Sequence, residues 1–99
     1  IAERVRQISE QTGYVPNRIT VKTQRKRWGS CSSRRNVNFN WKLIMLPEKV
    51  IDYVIIHELC HLKEMNHSKA FWGEVERIMP DYRQYRKWLK DNAGKVEWE

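Results

Sequence analysis

The chain has 99 residues, 40% of them apolar with five tryptophans, and a formal net charge of +7. That size predicts one domain, residues 1–99, with a single small core. No apolar run approaches the ~20 residues of a helical membrane span, and no signal peptide is visible in the early-charged start Ile1-Ala2-Glu3-Arg4. A cytoplasmic protein with no membrane partner is expected, with Cys31 and Cys60 as thiols rather than a disulfide. Because the first residue is Ile rather than Met, the chain is expected to be a fragment of a longer one.

In chain order, residues 2–12 place Val5 and Ile8 at helical spacing among charged neighbours, which predicts a surface helix ending near Gly13. Val15-Pro16-Asn17 reads as a turn or linker. Ile19-Thr20-Val21-Lys22-Thr23 alternates apolar and polar, the pattern of a half-buried strand. Gly29 and the serines after it suggest a bend or bulge, and Arg34-Arg35-Asn36 a hairpin tip. Val37-Asn38-Phe39-Asn40-Trp41 alternates again and is expected to pair antiparallel with the first strand. A third short strand in this region cannot be placed from the pattern. Pro47 and Glu48 suit the start of a helix running from about 48 to 65. Asn66 is expected to close that helix in a left-handed conformation, turning His67 back. Ser68 is an expected N-cap for a helix carrying Phe71, Trp72, Val75, Ile78 and Met79, which Pro80 ends. Asp81 is expected to cap a last helix with Tyr82, Tyr85, Trp88 and Leu89 on one face, stopped by Asn92-Ala93-Gly94.

All three histidines fall in one eleven-residue window, His57-Glu58-Leu59-Cys60-His61 followed by His67. Residues four apart share a helix face, so His57 and His61 can point at one atom. Neutral imidazoles suit tetrahedral zinc, and His67 supplies a third ligand while leaving one position for water. Glu58, one position round the helix, reaches that water without being a ligand and is the expected catalytic acid/base, with peptide amides as the usual substrate. H-E-x-x-H alone recurs by chance, but three histidines with ligand spacing on an apolar helix are a narrower pattern. Glu74 and Glu76 are alternative third ligands, although helix charges are usually only solvated. Cys60, at i+3 from His57, points away from the His57/His61 line. Tyr53, Tyr82, Tyr85 and Arg27 are candidate oxyanion donors, none favoured by the sequence. Residues 27–31 are a candidate edge for holding an extended peptide by strand addition.

The ordered series Arg27-Trp28-Gly29-Ser30-Cys31-Ser32, Asn40 with Leu43, Pro47, Asp52-Tyr53-Val54, His57-Glu58-Leu59-Cys60-His61, and Asn66-His67-Ser68 with Phe71-Trp72 resembles the YgjP-like predicted metal-dependent hydrolases, themselves similar to the SprT-like and WLM peptidase domains. The resemblance covers residues 22–89. It implies a zincin-like α+β domain with a small sheet and an active-site helix; with the residue pattern, the expected fold is an N-terminal helix, a small antiparallel sheet, and the active-site helix followed by two further helices. It implies His57, His61 and His67 as ligands of Zn2+ and Glu58 as the catalytic acid/base. The metzincin pattern is rejected: Glu64 stands at its glycine position, and no Met-turn follows the site.

The leading expectation is a zinc-dependent hydrolase, a metallopeptidase using a metal-bound water activated by glutamate and acting on a peptide or protein. Two alternatives rest on charge. Lys22, Arg25, Lys26, Arg27, Arg34, Arg35 and Lys42 fall within twenty-one residues with no acidic residue between them. They suit a nucleotide or phosphoester hydrolase, or a nucleic-acid-associated module with a structural metal; otherwise they form a solvated face.

Overall fold

Helical spacing of Val5 and Ile8 among charged residues yields α1 (Ala2–Thr12), which buries those two side chains. Gly13 ends it at φ 80°, a left-handed conformation that costs glycine nothing, and its N–H returns to the Ser9 carbonyl at 2.8 Å. The structure, a computed structural model, describes residues 1–24 and 27–92. Arg25 and Lys26 of the basic stretch, and Ala93-Gly94 of the expected final stop, lie outside the described residues.

The three strands are β1 (Arg18–Lys22), β2 (Gly29–Cys31) and β3 (Asn36–Asn40), in the order β1-β3-β2. The sheet is mixed, which corrects the expected antiparallel pairing. β1 runs parallel to β3 with Ile19 opposite Val37 and Val21 opposite Phe39. The antiparallel partner of β3 is β2, with Gly29 opposite Phe39 and Cys31 opposite Val37. The expected hairpin tip is present, but it joins β2 to β3: Ser32 N–H donates to the Asn36 carbonyl, and Arg35 N–H to the Ser32 carbonyl, both at 3.0 Å. Buried Asn40 holds the crossover from β1, its Nδ2 donating to the carbonyls of Gln24 (2.9 Å) and Arg27 (3.0 Å).

Arg35 takes a positive φ of 65° at the tip. Its guanidinium donates to the carbonyls of Leu62 and Val15, each at 3.1 Å, while its own carbonyl accepts from Asn17 N–H. This arginine therefore ties three segments together rather than presenting its charge for a partner.

After a 3-10 helix (Trp41–Met45), α2 (Glu48–Cys60) starts beyond Pro47, whose carbonyl accepts from the N–H groups of Val50 and Ile51. Residues 52–60 are all buried, so α2 is surrounded: β2 packs on it, as do α1 and the two later helices. Arg4 ties α1 to it by a two-pronged ion pair, Nε and Nη2 each 2.8 Å from a separate oxygen of Asp52.

α2 ends at Cys60, earlier than expected, and the chain unwinds into a turn in which Lys63 and Glu64 N–H both donate to the Cys60 carbonyl (3.1 and 3.0 Å). Asn66 is not left-handed; among the described residues only Gly13 and Arg35 have positive φ. α3 (Lys69–Ile78) begins at the expected cap, Ser68 Oγ accepting from Phe71 N–H, and buries Phe71 and Val75. α4 (Tyr82–Asn92) buries Tyr82 and Leu89 and half-buries Tyr85 and Trp88. The Asp81 carboxylate accepts from the Gln84 side-chain amide and the Tyr85 hydroxyl, not from a backbone amide. No helix among the described residues is long and apolar enough to cross a membrane.

Candidate metal centre

The four-residue spacing on α2 puts His57 and His61 on one face, and the turn after Cys60 carries His67 back to them. The Nε2 atoms of His61 and His67 are 3.1 Å apart, and those of His67 and His57 3.2 Å. Zinc–nitrogen bonds of about 2.0–2.1 Å in a tetrahedral site place two nitrogens about 3.3 Å apart. The spacing therefore fits one zinc-sized cation. The donor chemistry fits too. His67 Nε2 faces two other ring nitrogens at once; a proton can bridge one such pair, whereas a single cation satisfies all three. His61 Nδ1 lies 3.0 Å from the Glu64 carbonyl, which can only accept. The ring proton is thus on Nδ1, and a bare Nε2 lone pair is aimed at the other histidines.

The cluster is backed by aromatic rings. Phe71, fully buried, stacks on His61 at 4.4 Å and meets His57 edge-on at 5.0 Å. Tyr53 meets His57 at 6.0 Å and stacks on Tyr82 at 6.4 Å. His57 and His61 are buried, whereas His67 is exposed. Cys31, His61, Met65 and His67 line a cavity of about 170 Å³ opening from the cluster.

Glu58 is wholly buried and is not a member of the histidine cluster. It lies against β2. A Cβ built on Gly29 would stand 2.9 Å from Glu58 Cγ and 3.2 Å from its Oε2, so the glycine makes room for this carboxylate.

The rival ligands are engaged elsewhere. Glu74 accepts from Arg77 (2.9 Å from Nε) and from the Tyr14 hydroxyl, and pairs with Lys63 at 3.6 Å. The Arg77 and Tyr14 hydrogen bonds hold its carboxyl down at about 2, while burial and the Glu74 contact push Tyr14 up to about 12. Glu76 is exposed and pairs with Arg83. Burial raises the Cys60 thiol to about 12, and Cys60 is not among the residues whose ligand atoms converge. Cys31 and Cys60 are not joined in a disulfide. Of the candidate oxyanion donors, Tyr85 donates to Asp81, Tyr53 and Tyr82 are packed in the core, and Arg27 is exposed.

A helix bearing His-Glu-x-x-His on a small mixed sheet, with a third histidine returned by the next turn, is the zincin-like arrangement of metallopeptidases. Two solved structures share this fold over nearly their whole length. The metallopeptidase zymogen of Pyrococcus abyssi abylysin matches with a TM-score of 0.78 at 20% identity, over 97% of this chain and 98% of that one. The metallopeptidase zymogen of Methanocaldococcus jannaschii jannalysin matches with a TM-score of 0.79 at 19% identity, over 93% and 95%. At these identities the likeness is one of fold. The chain itself belongs to the YgjP-like family, metallopeptidase domain, which it matches over residues 1–92. It is also 40% identical over 47 residues to the UTP pyrophosphatase of Escherichia coli (strain K12), a stretch that makes up 43% of this chain and 28% of that enzyme's length.

Two residues around the site do more than the sequence assigns them. Gly29 was read as a bend, and nothing local reveals that a glutamate side chain twenty-nine positions later needs its space. Trp72 was read as helix core, yet it stands over His57 and His67 at 5.7 and 6.0 Å. The signal that pointed its way was its place five positions after His67 on the helix that Ser68 caps.

Proposed function

We propose that this chain is a zinc-dependent peptidase in which His57, His61 and His67 hold the ion and Glu58 moves the proton. The observation that carries this is that His67 Nε2 lies 3.1 and 3.2 Å from the Nε2 atoms of His61 and His57, with buried Glu58 next to His57 on α2. Bound Zn2+ supplies a Lewis acid and acidifies a water to a pKa of about 7. His61 serves as a neutral imidazole because the Glu64 carbonyl keeps its proton on Nδ1. Glu58 accepts a proton from the attacking water and returns it to the leaving amine as the amide C–N bond breaks. Its burial keeps bulk water from competing for that proton. β2, at the edge of the sheet against Glu58, offers its outer backbone groups to an extended peptide. In this reading the enzyme works in the cytoplasm, where Cys31 and Cys60 persist as thiols.

The test is Glu58→Gln, which preserves size and removes the base. It is expected to keep zinc and fold while losing turnover by at least ~100-fold, the lower end of what general acid–base catalysis contributes. Near-parental turnover on a substrate that needs the metal refutes the mechanism.

A second reading is favoured by the stretch shared with the UTP pyrophosphatase. The same three histidines and glutamate would then hydrolyse a phosphoanhydride of a nucleoside triphosphate. A screen of peptides beside nucleoside triphosphates, following amine and pyrophosphate release, separates the two. A purely structural metal is disfavoured, since structural zinc is closed by four protein ligands and the cluster among the described residues has three.

A further inference from the structure

The third histidine is held unlike the first two. His57 lies on α2 and His61 caps the C-terminal end of that helix, both buried, and His61 is locked through Nδ1 by a carbonyl. His67 is exposed and lies in the non-helical residues between α2 and α3. Its hydrogen-bond-range contacts are with the two other Nε2 atoms, and no described residue hydrogen-bonds its Nδ1. Metal-ligating histidines ordinarily donate that second N–H to a carboxylate or carbonyl, which fixes the ring's rotation. Here the ring is bounded by aromatic surfaces. Phe71 meets it edge-on at 5.1 Å and 83°, and Trp72 lies at 6.0 Å with the planes 26° apart. Trp72 is held in turn. Tyr82 stacks on it at 5.5 Å and 18°, and the Arg86 guanidinium sits 4.3 Å from its ring centroid.

We propose that Trp72, braced by Tyr82 and Arg86 of α4, is the positioning residue for His67, its indole doing the orienting that a hydrogen bond does for His61. The proposal rests on the three-histidine reading above. It gives the half-buried indole a reason to stand at the site rather than in the core. An imidazole that shares its lone pair with a cation becomes electron-poor, and indole is the best aromatic neighbour for such a ring. The contact therefore strengthens when the site is loaded, and α4 contributes to the site without supplying a ligand.

The test compares zinc affinity by chelator competition, and the visible absorption of the Co2+-loaded protein, in the parent, Trp72→Leu, Trp72→Phe, Arg86→Gln and His67→Ala. Unfolding midpoints are taken without metal. Trp72→Leu is expected to bind zinc about tenfold more weakly, the lower end of losses seen when an outer-shell partner is removed, and to shift the cobalt spectrum. Trp72→Phe is expected to restore both, which a packing role alone does not require. Arg86 is exposed, so Arg86→Gln folds whether or not Trp72→Leu does, and it is expected to weaken zinc binding by a smaller factor. Parental affinity in Trp72→Leu, equal losses in the leucine and phenylalanine proteins, or unchanged affinity in Arg86→Gln overturns the proposal. Parental affinity in His67→Ala sinks the three-histidine reading, and this proposal with it. Loss in His67→Ala without loss in Trp72→Leu sinks only the role of Trp72.

Discussion

Replacing Gly29 with alanine adds one methyl group where Glu58 of α2 lies against β2. The new Cβ would stand 2.9 Å from Glu58 Cγ, 3.2 Å from Glu58 Oε2 and 3.1 Å from the Asn38 carbonyl oxygen. Ordinary contact begins at 3.4 Å, so something must retreat by about half an ångström. Asn38 belongs to the central strand, hydrogen-bonded to β1 on one side and β2 on the other, and is costly to move. The Glu58 side chain has rotatable bonds and yields first. Gly29 has no positive φ, so the penalty is steric rather than conformational. Crowding a packed site by one methyl costs about 1–3 kcal/mol. For a domain of this size each kcal/mol lowers the melting temperature by about 4–8 °C. The effect on turnover is expected to be larger, since a misplacement of about 1 Å can cost ~100-fold. No histidine atom is among the three nearest to the new methyl, so metal content is expected to fall less than turnover. The assay is turnover at a temperature well below both melting transitions, with zinc content and melting temperature measured on the same preparations. If Gly29→Ala stays folded and turns over at the parental rate, β2 does not set the position of the carboxylate.

Two further outcomes are expected. Glu74 titrates at about 2 in the fold against 4.5 for an ordinary glutamate, so between those values the folded chain binds fewer protons than the unfolded one. The stability contributed by the Tyr14–Glu74–Arg77 group is fully present above about pH 4.5 and lost as the pH falls toward 2; Glu74→Gln should flatten that acid limb in denaturant titrations, and an unchanged limb refutes the assignment. Contact of the basic stretch with nucleic acid predicts a steep loss of binding as salt rises, because counterions are released on contact. Arg34→Glu with Lys42→Glu should flatten that slope, whereas Arg35 is unsuitable because its guanidinium holds the Leu62 and Val15 carbonyls. Absence of binding at low salt makes these side chains a solvated face.

Local chemistry carried much of this molecule. Gly13, Ser68 and the apolar spacing of the helices act through neighbours a few residues away, and they were readable for that reason. So was the histidine window, because a helix turns sequence spacing into a shared direction. The misses are non-local. Alternation in residues 18–22 and 36–40 specifies strands but not their relative direction, which is decided by a three-residue strand, Gly29–Cys31, too short to show any alternation. No glycine or proline marks the end of α2, so the sequence does not show where it stops; the last turn simply shares the Cys60 carbonyl between two amides. Arg35 looked like one more surface charge until its carbonyl partners, 20 and 27 positions away in sequence, were in view.

The burial of residues 52–60 of α2 bears on how freely this protein can change. Val54, Ile55 and Leu59, with no exposed surface, share that helix with His57 and Glu58, and His61 caps its end. A substitution that loosens the packing on one side of the helix also shifts the imidazoles and the carboxylate on the other. Variation along α2 therefore has to satisfy folding and reactivity together, and gains in one are constrained by the other. The turn and α3 surface around exposed His67 escape that constraint. Met65, an exposed residue in the wall of the cavity beside His67, can be exchanged without reopening the core.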